Sequence, residues 1–144
     1  MPEINSVAGQ LVGIPVGQVY TAGKGVVIDN VHKTVRVDET VLYDGTAATS
    51  VTCSESVSNF ERIRVCAKPG PFTTIHEETF DVGKTAGFFM LADASNAYGG
   101  QITATSTTVA ITNGKHVWFS AGGCGSEADS PTLVKVIGVN RVSA

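Results

Sequence analysis

Few residues of this 144-residue sequence could carry out chemistry, and they are widely spaced along the chain. The three histidines are His32, His76 and His116, and no two cysteines have the Cys-x-x-Cys spacing of a local zinc-ligand pair. The sequence also lacks the Gly-x-Ser-x-Gly, phosphate-loop and His-Glu-x-x-His motifs that place a nucleophile, a phosphate or a metal. We therefore expect no enzymatic activity and no bound metal or cofactor.

One acidic cluster is a possible cation site, and it consists of His76, Glu77, Glu78 and Asp81. Alternate side chains of a strand point to opposite faces, so Glu77 and Asp81 would share a face while Glu78 pointed away. A cation site needs several oxygens that converge on one point. We therefore interpret this cluster as the solvated face of a strand.

The three cysteines, Cys53, Cys66 and Cys124, argue against a closed set of disulfides because their number is odd. They are typical of a protein made in a reducing cytosol. Cys53 lies in a strand-like stretch and is expected to be a small core residue. Cys124 lies in the glycine-rich stretch 121–131, which we expect to be a loop, and no neighbour in sequence would activate it as a nucleophile.

Two aromatic side chains, Tyr98 and Trp118, could stack on a sugar ring. They are the candidate contacts for a glycan. The competing interpretation of Trp118 is a core or interface residue, because it follows Asn113-Gly114, a dipeptide that favours a tight hairpin turn.

Composition excludes several classes of protein. Only 16% of the residues are charged and the net charge is −3, so no basic excess indicates nucleic-acid binding. No apolar run approaches the ~18–20 residues that a membrane span needs. The first residues show no basic region followed by an apolar one, so no signal peptide is expected there.

The apolar residues that the chain uses predict its fold class. It contains 20 Val, 8 Ile and 16 Thr but only 4 Leu. β-Branched side chains favour the pleated surface of a sheet, and no long stretch has helical spacing. We predict an all-β protein whose main part is an antiparallel β-sandwich with a jelly-roll-like arrangement. Within it, residues 88–91 are predicted to form a central strand because they are apolar on both faces.

Three parts follow one another along the chain: a docking arm in residues 1–19, a shaft-like β segment in 20–42 and the sandwich head in 43–144. Glycine and proline interrupt the arm every few residues, which excludes a regular helix or a long strand. The arm therefore has to lie against another surface, either its own domain or a partner. Its candidate contact residues are Val7, Leu11, Val12, Ile14 and Val16.

The shaft-like segment contains two short alternating strands. Val26 and Ile28 share one face of the first strand, and Val35 and Val37 share one face of the second. An isolated two-stranded ribbon is marginal in water, so something has to cover this apolar face. These four residues are the candidate seam between copies of the chain.

Two regions resemble the fibre and virion-surface proteins of tailed bacteriophages. The first, residues 20–30 (YTAGKGVVIDN) with 34–37 (TVRV), resembles a short shaft repeat of phage fibres. The second is similar to the β-sandwich heads of such proteins and consists of residues 41–45 (VLYDG), 54–65 (SESVSNFERIRV) and 131–139 (PTLVKVIGV).

The resemblance implies a homotrimer, with the shaft strands wound about a threefold axis and the heads clustered around it. Only one shaft unit is present, which favours a head fibre, a capsid decoration protein or a short fibre tip over a long fibre. The implied location is the virion surface, after synthesis in the host cytoplasm. The arm would bind a capsid or tail protein, and the head could bind a glycan of the host surface. The alternative is a monomeric carbohydrate-binding β-sandwich module.

Overall fold

The computed structural model describes residues 5–7, 10–12, 21 and 23–142, and within these residues it shows thirteen strands, one short 3₁₀ helix and no α-helix. The described part of the chain therefore contains no helix that could cross a membrane. The prediction of an all-β protein with antiparallel sheets is confirmed. The strands are β1 (Asn5–Val7), β2 (Gln10–Val12), β3 (Val26–Asp29), β4 (Thr34–Val37), β5 (Glu39–Ala48), β6 (Ser50–Thr52), β7 (Phe60–Lys68), β8 (His76–Asp81), β9 (Ala86–Leu91), β10 (Asn96–Thr105), β11 (Thr108–Ser120), β12 (Gly123–Glu127) and β13 (Thr132–Arg141), and the 3₁₀ helix is Val57–Asn59.

Two antiparallel sheets form the head. One has the strand order β5-β13-β7-β8, and the other has the order β12-β11-β10-β9, with β6 paired to the first residues of β11. The closing strand β13 lies between β5 and β7, so the last strand of the chain completes the sheet that the first strand of the head began. The chain passes between the sheets at residues 48–50, where the Ile111 N–H donates to the Thr49 carbonyl.

The core lies between the two sheets. Each sheet contributes the apolar residues of its inner face, which alternate along the strands with residues that point outward. Ile63, Ile102, Leu133 and Val136 are fully buried in it, and Cys53 is buried as the sequence predicts. Every buried residue of the described chain in this core is apolar, so the sandwich is stabilised mainly by the hydrophobic effect.

The prediction of a hairpin turn at Asn113-Gly114 is wrong. Strand β11 continues through both residues, and they lie opposite a single residue of β10, Gly100, as a β-bulge. Asn113 takes the positive φ of 53° that the dipeptide favours, and its Nδ2 donates to Gln101 Oε1 at 2.8 Å. The true turn between β10 and β11 lies at Ser106, which also has a positive φ of 51°.

Two further expectations about the head are wrong. Residues 88–91 belong to β9, which is an edge strand and not a central one, because β10 pairs with it on one side only. Their apolar character on both faces arises because Phe88 and Met90 pack on the core while Phe89 and Leu91 are exposed. The glycine-rich stretch after β11 is not all loop, because it contains β12, which pairs with the end of β11.

If the core stabilises the head, substitutions in it should lower the free energy of unfolding more than substitutions at the surface. We expect Ile63→Ala, at a fully buried site, to lower the free energy of unfolding by about 2–5 kcal/mol, since it removes apolar contact and leaves a cavity. The same substitution at Ile75, which is 56% exposed, should change it by less than about 0.5 kcal/mol. Urea unfolding at one protein concentration measures both values, and equal losses would contradict this core.

Candidate functional site

The β3–β4 hairpin brings the four predicted seam residues together. Val26 lies directly opposite Val37, and Ile28 lies directly opposite Val35. Directly opposed residues of an antiparallel pair share one face, so the four side chains form one apolar surface. Val37 is 58% exposed and Val26 is 36% exposed, so a single chain leaves part of this surface in water.

The turn of this hairpin is fixed by its first residue, Asp29. Asp29 Oδ1 accepts the N–H groups of Val31 and His32 at 2.9 and 3.1 Å, and Oδ2 contacts His32 Nδ1 at 2.7 Å. The hydrogen bonds from His32 lower the pKa of Asp29 to about 2. Lys33 then takes a positive φ of 54° and returns the chain into β4. The turn therefore holds the two strands in the register that aligns the seam residues.

The predicted docking arm is only partly described. Val7 ends β1, and Leu11 and Val12 lie in β2, which pairs with β1. Through Gln10 opposite Thr34, these strands extend the sheet of the hairpin in the order β1-β2-β4-β3. Ile14 and Val16 lie outside the described residues. The arm's role in docking stays a prediction.

The hairpin is joined to the head through the backbone of Asp38. The Asp38 N–H donates to the Gly25 carbonyl at 3.0 Å, and its own carbonyl accepts the Asn140 N–H at 2.9 Å. Gly25 has a positive φ of 82°, and a Cβ there would lie 3.0 Å from Asn140 Oδ1, so this position requires glycine. Lys24 Nζ lies 2.6 Å from Glu61 Oε1 and adds an ion pair across the same junction.

Arg141 holds the end of β13 to the residues before the 3₁₀ helix. Its guanidinium donates two hydrogen bonds to Glu55, from Nη1 to Oε2 at 2.7 Å and from Nη2 to Oε1 at 2.8 Å. Its Cζ lies 4.6 Å from the centroid of the Phe60 ring. The Arg141 N–H also donates to Asp38 Oδ2 at 2.7 Å. The hydrogen bonds that Glu55 accepts from the Arg141 guanidinium, and the one it accepts from Asn59 Nδ2, lower the pKa of Glu55 to about 2.

A second polar site lies at one end of the head, where Tyr98, His116 and Glu127 form a row across β10, β11 and β12. The rings of Tyr98 and His116 stack at 4.5 Å between centroids with 10° between their planes. The ring of Trp118 follows at 5.5 Å from that of His116. This His116 cluster comprises Asn96, Tyr98, His116, Trp118, Glu127 and Asp129.

His116 is the centre of this cluster, and its side chain is only 14% exposed. Nδ1 lies 3.0 Å from Glu127 Oε1, and Nε2 lies 2.8 Å from Asn96 Oδ1. Potential metal-ligand atoms of His116, Glu127 and Asp129 lie within 4.8 Å of one another. No other group of three His, Cys, Asp or Glu residues is this close within the described part of the chain. Sequence spacing did not reveal this group, because its members come from different strands and the following loop.

The structure separates the two predicted glycan contacts by their exposure. Tyr98 is only 2% exposed, with Phe72 at its ring edge and His116 on its face, so the expectation that it contacts a glycan is wrong. Trp118 is 37% exposed. Its indole lies over Gly125, where a Cβ would be 2.4 Å from Trp118 Cζ2, so one part of the ring packs on backbone.

The outer face of the same sheet carries a second apolar surface. Leu91, Ala97 and Val117 lie in one row across β9, β10 and β11, since they are directly opposed. Phe89 and Phe119 lie two residues away on their strands and therefore share this face. Phe89, Leu91 and Phe119 are all exposed. Ala97 at the centre of the row is fully buried, so Phe89, Leu91 and Phe119 are the exposed part of this surface and make it a candidate for contact with another protein.

No model of a known protein family matches this chain, and no curated protein matches it either.

The Glu55–Arg141 pair predicts a pH dependence of stability. Because the folded-state pKa of Glu55 lies below its ordinary value of 4.5, the pair stabilises the fold above that pH. Its contribution is lost as the pH falls through about 2. We therefore expect Glu55→Gln to lower the melting temperature near neutral pH, and we expect the difference from the wild type to shrink progressively below pH 4.5.

The control for this measurement is Glu78→Gln, the same change on an exposed position of β8. Its melting temperature should stay near that of the wild type at neutral pH. A Glu55→Gln deficit that is constant from pH 7 to pH 2 would show that the ion pair does not cause it.

Proposed function

We propose that this protein is a structural component of a bacteriophage virion, a homotrimer exposed on the particle surface as a head fibre, capsid decoration or short fibre tip. The observation that carries the proposal is the half-covered apolar face of the β3–β4 hairpin, which pairs Val26 with Val37 and Ile28 with Val35. The resemblance of the hairpin sequence to a phage shaft repeat supports the same assignment.

The hairpin is presented away from the core of the head. It is joined to the sandwich at its base, through Gly25 and Asp38, and Val37 and Val26 lie at that same end. Three hairpins around a common axis would cover each other's apolar faces while the heads remained outside. In this arrangement, the strands of the arm lie beside the hairpin and reach the particle, and the sandwich faces solvent.

The energies involved make trimerisation sensitive to single residues. If each of the four seam residues buries ~40 Å² of apolar area, three copies gain about 12 kcal/mol in total. A trimer forms in two association steps, and each costs ~4–15 kcal/mol in lost translational and rotational freedom, so the cost is at least of the same size as the gain. A trimer therefore needs most of its seam, and one charge buried at the axis is enough to dissociate it.

A carbohydrate-binding module is the second candidate function, and the exposure of Trp118 beside the polar groups of Asn96 and Glu127 favours it. The two candidates differ in oligomeric state. A monomer that binds glycans through Trp118 would support the module, whereas a trimer formed through the hairpin supports the virion protein.

We expect the wild-type protein to have a solution mass of about three times 14.9 kDa by light scattering. Val37→Asp should reduce the mass to that of one chain, because three carboxylates would meet on the apolar face without a partner. The melting of the head should remain, since Val37 lies outside its core.

Val31→Asp is the matched control, because Val31 lies in the turn of the same hairpin and is 84% exposed. It adds the same charge away from the seam, and the trimer should persist. A monomeric wild-type protein, or a trimer that survives Val37→Asp, would refute the assignment of the seam.

A further inference from the structure

The His116 cluster has a hydrogen-bond pattern that fixes which ring nitrogen carries hydrogen. Asn96 Nδ2 donates to both carboxylate oxygens of Asp93, at 2.9 and 3.0 Å. This orients the Asn96 amide so that its carbonyl oxygen Oδ1 faces His116 Nε2 at 2.8 Å. A carbonyl oxygen can only accept, so Nε2 donates and the lone pair of neutral His116 lies on Nδ1.

That lone pair points at a second acceptor. Nδ1 lies 3.0 Å from Glu127 Oε1, and two acceptors at this distance repel each other unless a cation binds between or beside them. A metal ion takes more than two ligands, and a ligand atom of Asp129 also lies within 4.8 Å of those of His116 and Glu127.

We infer that His116, Glu127 and Asp129 form a binding site for a divalent transition-metal ion of the zinc type. Ligands of one such ion, each at ~2.0–2.2 Å from it, lie about 3–3.5 Å apart, which matches the separation of Nδ1 and Oε1. The 4.8 Å limit for the whole group is wider, so the match in distance applies to this pair of atoms. One imidazole and two carboxylates suit Zn²⁺ or Co²⁺, whereas Ca²⁺ and Mg²⁺ prefer oxygen ligands only.

The surroundings of His116 match those of a metal ligand. A metal-bound histidine usually donates its other ring N–H to a carboxylate or carbonyl, which fixes its tautomer and orientation. Here Asn96 Oδ1 accepts that hydrogen bond, the Asn96 amide is itself held by its bond to Asp93, and the Tyr98 ring holds the imidazole plane by stacking. Three protein ligands leave a position open, as in metal sites that bind an additional molecule.

The fluorescence of Trp118 can report whether a metal ion binds at the cluster. It is the only tryptophan of the sequence, and its ring lies 5.5 Å from that of His116. A paramagnetic ion quenches tryptophan fluorescence only at short range, so Co²⁺ bound at the cluster should quench Trp118. We expect saturable quenching when Co²⁺ is added to the full, tag-free chain at neutral pH, and we expect diamagnetic Zn²⁺ to reverse it by competition.

The variants separate metal ligation from folding. Glu127→Gln and Asp129→Asn preserve the shape of each side chain but should weaken Co²⁺ binding by about tenfold or more. Asn96→Ala removes the acceptor for Nε2–H and should weaken it by about 10–100-fold. His32→Ala is the control, because His32 forms the other close histidine–carboxylate pair described above, with Asp29. It should leave the quenching curve unchanged.

Two results would overturn the inference. Absence of saturable quenching in the wild-type protein would mean that the cluster binds no such ion. Quenching that is equally strong in Glu127→Gln and Asp129→Asn, while their melting temperatures match the wild type, would place the ion elsewhere. Neither result depends on the oligomeric state, so this test and that of the hairpin seam fail or succeed separately.

Discussion

The β-bulge at Asn113 and Gly114 decides which side of the sheet the second half of β11 faces. Side chains alternate along a strand, so one extra residue reverses the faces of all those that follow. Before the bulge, Val109 and Ile111 point into the core. After it, His116 and Trp118 share the inner face with Tyr98 and Asn96, and Phe119 points outward. Both the His116 cluster and the outer apolar surface depend on this single irregularity.

The junction at Asp38 connects this head to a hairpin that has no core of its own. Its bonds are mostly backbone hydrogen bonds and ion pairs at the surface, in contrast to the apolar packing between the sheets of the head. Such a junction fixes the direction of the hairpin without burying its apolar face. The residues that would assemble copies of the chain are therefore kept apart from those that fold it.

The two candidate sites differ in how well the sequence reveals them. The common face of the four candidate seam residues was predictable, because the alternation of Val26 with Ile28 and of Val35 with Val37 is local, and a short turn sets the strands in register. The His116 cluster was not predictable. His116 and Glu127 are eleven residues apart and meet only because β11 and β12 pair. Spacing rules for metal ligands detect pairs within one helix or turn, so they do not detect ligands that only strand pairing brings together.

The sequence by itself determined the fold class, because β-branched side chains and frequent turns leave no alternative to strands, and it determined which residues of the hairpin share a face. Only the tertiary structure decided whether Asn113-Gly114 forms a hairpin turn or a β-bulge. The dipeptide favours positive φ in either a turn or a bulge, and pairing with β10 on both sides selects the bulge. Likewise, the burial of Tyr98 and the exposure of Phe89 depend on which strands become neighbours, which is a non-local choice made by packing of the core.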